Sequence, residues 1–150
     1  MNLKNITEIA FGTNILDIEI PEHLKRKFAT GLNYFDGALG GEGMTPSCVT
    51  LFTGTPGAGK TTMMLTMADS ITKQGGICLF NTAEESLYQT AMTAQRLRLK
   101  NGFITGNTDD VSKLIEGAQA AMDANPGKQF VMIVDSLPVS YTHLTLPTTR

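Results

Sequence analysis

The sequence predicts an α/β fold in which a mainly parallel β-sheet is flanked by helices. Segments with the short, apolar character of strands alternate along the chain with segments of helical periodicity. This alternation is typical of parallel strands that are joined by helices. The segment 130–135 is almost continuously apolar, as expected for a strand that is buried on both faces of a sheet.

Residues 1–29 are predicted to form an irregular lead-in, with one edge strand around 15–20 that ends at Pro21. A short helical turn is expected within 30–41, between glycine breaks. The core strands are expected where short apolar segments are bounded by turn residues. These segments are 48–53, 77–81, 102–105 and 130–135.

Three longer helices are predicted from apolar residues at helical spacing. The first follows the glycine-rich loop at 54–61 and stops at Gly75-Gly76, and the second runs from Glu85 to about Leu99. The third is capped by Thr108 or Asp109 and continues to about residue 124. Its buried stripe is expected to comprise Val111, Leu114, Ile115, Ala118 and Met122.

The composition fits one globular domain. The chain has 150 residues, 41% hydrophobic and 17% charged, and a net charge of −2, which gives no general basic field for nucleic acid. Cys48 and Cys78 both lie in predicted core strands, as inert thiols of a reducing compartment would. The sequence contains neither a secretory signal nor an apolar run of membrane-spanning length, so the expected location is cytoplasmic.

Residues 54–61 match the phosphate-loop pattern G-x-x-x-x-G-K-[ST], also called Walker A. Glycines let consecutive backbone N–H groups turn toward a phosphate chain, and the following helix adds its positive dipole end. The predicted nucleotide-binding residues are Gly54, Thr55, Pro56, Gly57, Ala58, Gly59, Lys60, Thr61 and Thr62. Lys60 would reach the β- and γ-phosphates of ATP, and the Thr61 hydroxyl would hold Mg²⁺.

Carboxylates at the ends of two other predicted strands would complete the site. Asp135 ends an apolar strand in the form of a Walker B element, where it could hold the magnesium shell. Glu84 and Glu85 follow the second strand, where a carboxylate could activate water for hydrolysis. Glu84 is the preferred candidate because it is nearer the strand end. The alternative is that both glutamates favour the N terminus of the next helix.

Residues 30–137 resemble the RecA-like ATPases, and among these the RadA/Sms branch of bacterial recombination and repair proteins. The resemblance is carried by Thr30-Gly31, Phe35-Asp36, Leu39-Gly40-Gly41, Gly54 to Thr61, Ala83-Glu84-Glu85-Ser86, Ala94-Gln95-Arg96-Leu97 and Val134-Asp135-Ser136. It implies an Mg²⁺-dependent ATPase in which Glu84 activates water. It also implies that the full-length protein binds single-stranded or branched DNA. A ring or filament is expected as well, in which a neighbouring subunit supplies a basic finger.

The chain also departs from that branch. It has no four-cysteine zinc finger, no K-N-R-F-G signature and no protease-like C-terminal domain. Replicative helicases of the DnaB type and regulatory ATPases of the KaiC type share the same core, so both remain alternatives. A nucleotide-binding remnant without turnover is a third.

The expected domain organisation is a lead-in at 1–29, a RecA-like core at 30–138 that is incomplete after the Walker B strand, and a non-native tail at 139–150. The tail resembles the read-through translation of an adapter used in sequencing libraries. Because further strands and DNA-binding loops follow the Walker B strand in the family, this chain alone is expected to lack efficient turnover.

Overall fold

The computed structural model describes residues 9–136. Residues 1–8 and 137–150, which include the expected non-native tail, lie outside the described residues. The helices are Glu22–Lys25 (α1), Asn33–Ala38 (α2), Lys60–Lys73 (α3), Leu87–Arg96 (α4) and Val111–Asp123 (α5). The strands of the described range are Ile77–Thr82 (β1), Ile104–Gly106 (β2) and Phe130–Asp135 (β3).

The three described strands form one all-parallel sheet in the order β2-β1-β3. The register of β1 and β3 pairs Ile77 with Phe130 and Thr82 with Asp135. The carboxyl ends of these two strands are therefore level with each other. The α/β class and the parallel sheet flanked by helices are confirmed.

The core lies between α3 and one face of the sheet. Leu65, Ala68 and Ile71 of α3 are fully buried and belong to one apolar cluster with Phe80 of β1 and Ile133 of β3. Their spacing of three residues puts the α3 side chains on one side of the helix. Successive strand side chains point to opposite faces. Leu79 therefore lies on the other face, where α5 contacts β1.

The predicted strand at 48–53 is wrong, because no residue of that segment belongs to a strand. Val49 is 99% exposed and Leu51 77% exposed, and Cys48 is exposed rather than buried. A strand forms where a neighbour accepts its ladder of backbone hydrogen bonds. Within residues 9–136 no strand pairs with this segment. Phe52 still packs on the core, with its ring stacked 5.4 Å from that of Phe35.

Four smaller predictions also need correction. The expected edge strand at 15–20 is instead a 3₁₀ turn over Ile15–Asp17, because the Asn14 side chain accepts a hydrogen bond from the Leu16 N–H. The helix expected to run from Glu85 to about Leu99 is shorter, and Ser86 and Gln89 form a capping box at its start.

The third helix is capped by Asp110 rather than by Thr108 or Asp109. Its predicted buried stripe is only partly right. Ala118 of the stripe is buried, as is Ala121 outside it, whereas Ile115 is 59% exposed. The exposed residues of the stripe face solvent because the small described sheet covers only part of this helix.

The segment before the phosphate loop is held together by two contacts. Phe28 and Met44 form an antiparallel bridge, with N–H to O distances of 2.8 and 2.7 Å. The buried Asp36 accepts hydrogen bonds from residues 30 and 31. The expected short helix within 30–41 is present as α2. Among the described residues, no helix is both long enough and apolar enough to span a bilayer.

Candidate nucleotide-binding site

The glycine-rich loop leads from the unpaired segment into α3. Gly57 and Gly59 have φ angles of 79° and 84°, in the left-handed region that glycine adopts without strain. Gly59 is the N-cap of α3, and it provides no side chain to cap the first helical turn. The first N–H groups of a helix have no partner within the helix. The loop at 54–59 is exposed and the first residues of α3 are half-buried, so these N–H groups can be donated to an anion.

The Lys60 side chain lies across this loop. Its Nζ donates hydrogen bonds to the carbonyl oxygens of Gly54, at 2.8 Å, and Thr55, at 3.1 Å. The ammonium group therefore lies within the curve of the loop and not in open solvent. A phosphate chain placed there would offer it stronger, charge-assisted hydrogen bonds than those carbonyls do.

Thr61 and Asp135 are in direct contact although 74 positions separate them in sequence. The Thr61 hydroxyl donates a hydrogen bond of 2.7 Å to Oδ2 of Asp135. Thr61 is in the first turn of α3, and Asp135 is the last residue of β3. The contact therefore joins the phosphate loop to the carboxyl edge of the sheet, which is where ligands of parallel α/β sheets bind.

This pair fits a magnesium ion. Mg²⁺ prefers oxygen ligands and binds in many proteins through one or two side chains, waters and substrate phosphates. A hydroxyl and a carboxylate at hydrogen-bond distance, next to a loop suited to phosphate, provide that set of ligands. Thr61 and Asp135 are the residues that would hold the ion.

Glu84 lies in the turn that directly follows β1, and its side chain is exposed. The turn is closed by the Glu85 N–H, which donates to Oγ1 of Thr82 at 3.2 Å. Because Thr82 is in register with Asp135, this turn begins at the same edge of the sheet as the Thr61–Asp135 pair. The structure thus places all the sequence-predicted carboxylates at this edge.

Two features of this edge were not singled out from the sequence as candidates. Thr82 holds the turn through its hydroxyl, which hydrogen-bonds to the backbone of Glu85. Nothing in the sequence distinguishes this threonine from any other threonine at the end of a strand. Ser136 follows Asp135 with a φ angle of 59°, and its hydroxyl is buried without a hydrogen-bond partner among the described residues.

An open groove of about 520 Å³ lies elsewhere. It is lined by α4 and by the segment that leads into β2, including Leu99, Phe103 and Thr105. Lys100 is the one charged residue in its lining. The groove therefore has no acidic side chain in its lining. By contrast, Asp135 and Glu84 lie at the edge of the sheet next to the phosphate loop.

Several curated proteins similar to this chain are named DNA repair protein RadA. The chain is 37% identical over 135 residues to the DNA repair protein RadA of Escherichia coli, and the match covers 89% of this chain and 27% of that protein. It is 38% identical over 116 residues to the protein of that name from Salmonella typhimurium, with 77% of this chain and 24% of that protein covered. For Campylobacter jejuni RadA the identity is 31% over 147 residues, with 94% and 31% covered.

The chain thus spans about a quarter to a third of the length of these relatives. No family model matches it, and no solved structure matches it. The similarity to the RadA proteins covers most of the chain, and the fold is the parallel α/β arrangement expected for the core of that group. The chain therefore belongs to the RadA branch of the RecA-like proteins.

Proposed function

We propose that this chain is the nucleotide-binding part of an ATPase that acts in DNA repair or recombination. The observation that carries the proposal is the 2.7 Å contact between Thr61 and Asp135. The contact joins the first turn of α3, which directly follows the phosphate loop, to the last residue of β3, the strand that carries the Walker B element. Two distant motifs that serve the same chemistry are thereby adjacent.

Each residue has a defined task in this proposal. The backbone N–H groups from Gly57 to Thr61 bind the phosphate oxygens, and residues 54–56 and Thr62 complete the nucleotide-binding segment. The Lys60 ammonium neutralises charge on the β- and γ-phosphates. Thr61 and Asp135 hold Mg²⁺, which when bound offsets the negative charge that develops on the phosphates. Glu84 orients the attacking water and accepts its proton.

The DNA-related role rests on the relatives rather than on the described residues. The matching proteins are named as DNA repair proteins. We propose that the whole protein binds DNA in its nucleotide-bound state and works as a homo-oligomer in the cytoplasm. A basic residue of a neighbouring subunit would complete the site, a contribution on the order of 10³- to 10⁵-fold in rate in enzymes of this kind.

Nucleotide binding tests the first part of the proposal. In Lys60→Ala the loss of a charge-assisted contact should weaken the binding of Mg²⁺·ATP by about ten- to a hundredfold. The measurement is titration of the protein with a fluorescent ATP analogue. Lys73→Ala is the matched control, because Lys73 is an exposed lysine in the last turn of the same helix. Equal affinities of both variants would refute the proposed site.

Hydrolysis tests the second part. Glu84→Gln removes the proposed base while keeping the size and hydrogen-bonding capacity of the side chain. ATP turnover should fall by about a hundredfold or more, while ATP affinity stays within about twofold. Glu85→Gln is the matched control, since it changes the adjacent glutamate of the same turn. If Glu85→Gln abolishes turnover and Glu84→Gln does not, the two roles are exchanged.

A further inference from the structure

We infer that Asn107 is a positioning residue that holds the turn carrying Glu84 in place for water activation. This inference rests on the proposed function and names a residue that the nucleotide motifs do not contain. Asn107 directly follows β2, whereas Glu84 lies in the turn after β1. Its side chain nevertheless reaches both ends of the Glu84 turn.

The contacts are made by one amide group. Nδ2 of Asn107 donates hydrogen bonds to the carbonyl oxygen of Thr82, at 2.8 Å, and to that of Glu85, at 3.1 Å. These two carbonyls precede and follow the segment that contains Glu84. The amide therefore links the two ends of the turn and holds their carbonyl groups at a fixed separation.

A second side chain fixes Asn107 itself. Asn81 of β1 is 1% exposed, and its amide binds both the carbonyl oxygen and the N–H of Thr108, at 2.9 and 3.2 Å. Gly106 gives this amide room, because a Cβ at that position would lie 2.7 Å from Oδ1 of Asn81. Asn81 thus clamps the chain immediately after Asn107 to the end of β1.

The result is a pair of reciprocal bridges between neighbouring strands at the catalytic edge. Asn81 reaches from β1 to the loop after β2, and Asn107 reaches back from that loop to the turn after β1. Glu84 itself is exposed and lies between these anchored points. Catalytic geometry is sensitive to displacements of about 1 Å. A fixed turn would therefore matter more for turnover than for the binding of nucleotide.

The test uses Asn107→Ala, which removes both hydrogen bonds, measured in the full-length protein. We expect kcat for ATP hydrolysis to fall about tenfold or more while the affinity for Mg²⁺·ATP changes by less than about twofold. Amide hydrogen exchange should become faster in the peptide that covers residues 82–86. Asn101→Ala is the matched control, because Asn101 donates a side-chain hydrogen bond of 2.9 Å to Asp69 near the opposite end of β2.

A second comparison separates positioning from a general loss of stability. If Asn107 acts through Glu84, then adding Asn107→Ala to Glu84→Gln should cause no further loss of turnover, because the group being positioned is already gone. An additive loss in the double variant would overturn the inference. So would unchanged exchange in residues 82–86, which can be measured whether or not the protein hydrolyses ATP.

The outcomes also distinguish this inference from the proposed function. If Glu84→Gln retains full turnover, the proposed role of Glu84 fails and the Asn107 inference fails with it. If Glu84→Gln abolishes turnover and Asn107→Ala has wild-type kcat, the proposed function stands and only the positioning role is refuted.

Discussion

Asp36 accepts hydrogen bonds from both the backbone N–H and the hydroxyl of Thr30, at 2.9 and 2.7 Å, and both residues are buried. The second carboxylate oxygen accepts the N–H of Gly31, at 3.0 Å. The carboxylate thus satisfies three donors, two of them on the buried Thr30, and it fixes the segment that leads toward the phosphate loop.

Removal of this carboxylate should destabilise the fold. Asp36→Ala leaves the two buried donors of Thr30, and also the N–H of Gly31, without an acceptor, which we expect to lower the free energy of unfolding by about 2–4 kcal/mol. Urea unfolding monitored by circular dichroism measures the change. Glu116→Ala is the control, because Glu116 is exposed on α5 and should change stability by less than about 0.5 kcal/mol. Equal effects of the two changes would contradict the role assigned to Asp36.

Gly43 should not tolerate a side chain. Its φ angle is 93°, and a Cβ would lie 2.1 Å from the carbonyl oxygen of Phe28, in the backbone of the antiparallel bridge. Gly41 has a φ angle of 94° but open space around its Cβ position. Gly41→Ala therefore carries the conformational strain alone, about 1–2 kcal/mol. Gly43→Ala should cost clearly more in thermal unfolding, and equal melting temperatures of the two variants would exclude the steric explanation.

Asp69 should make the stability of the protein depend on pH in the acidic range. Although burial raises the pKa of this carboxyl, its hydrogen bonds from Asn101, Gly102 and Lys100 outweigh that effect, and its pKa lies below the ordinary value of 3.8. The charged form is thus favoured in the folded state. Its stabilising contribution is complete above the unfolded pKa and is lost as the pH falls through the folded pKa.

The comparison that checks this is between the wild-type protein and Asp69→Asn. At pH 7 the variant should melt at a lower temperature, because an amide satisfies the donors of residues 100–102 less well than a carboxylate does. The difference should shrink as the pH is lowered below about 3.8. A difference in melting temperature that stays constant from pH 7 to pH 2.5 would show that the charge of Asp69 does not matter.

Magnesium dependence should be lost when either half of the Thr61–Asp135 pair is removed. We expect the affinity of the wild-type protein for ATP to be higher with Mg²⁺ than with a chelator, and Asp135→Ala and Thr61→Ala to abolish most of that difference. Titrations with and without the chelator measure it. The control is Thr66→Ala, since the Thr66 hydroxyl donates to the backbone of Thr62 within the same helix. A full magnesium effect in Asp135→Ala would exclude it as a ligand.

Much of this fold could be predicted from the sequence where the signals were local. The helix after the phosphate loop stops near Gly75, and the segment at 130–135 is a strand, because periodicity and glycine signals act over a few residues. The neighbourhood of Thr61 and Asp135 was expected from two motifs that serve the same chemistry. Their function stays a prediction until nucleotide binding is measured.

One wrong prediction and one contact that was not predicted share a physical cause. The segment 48–53 has the composition of a strand, but a strand needs a neighbour, and sequence patterns do not report whether one is available. The bridge from Asn107 to the Glu84 turn likewise depends on two strands that lie side by side, which the spacing of 23 positions does not reveal. Contacts between distant segments decided both cases.

The stacking of Phe52 on Phe35 has a consequence for how firmly the loop at 54–59 is supported. The loop is continuous with a rigid helix on one side, whereas on the other the backbone before it pairs with no strand of the described range. The aromatic pair is therefore the contact that attaches this flank of the loop to the core. A smaller side chain at position 35 should therefore loosen this flank of the loop and speed the release of the nucleotide that we propose it binds.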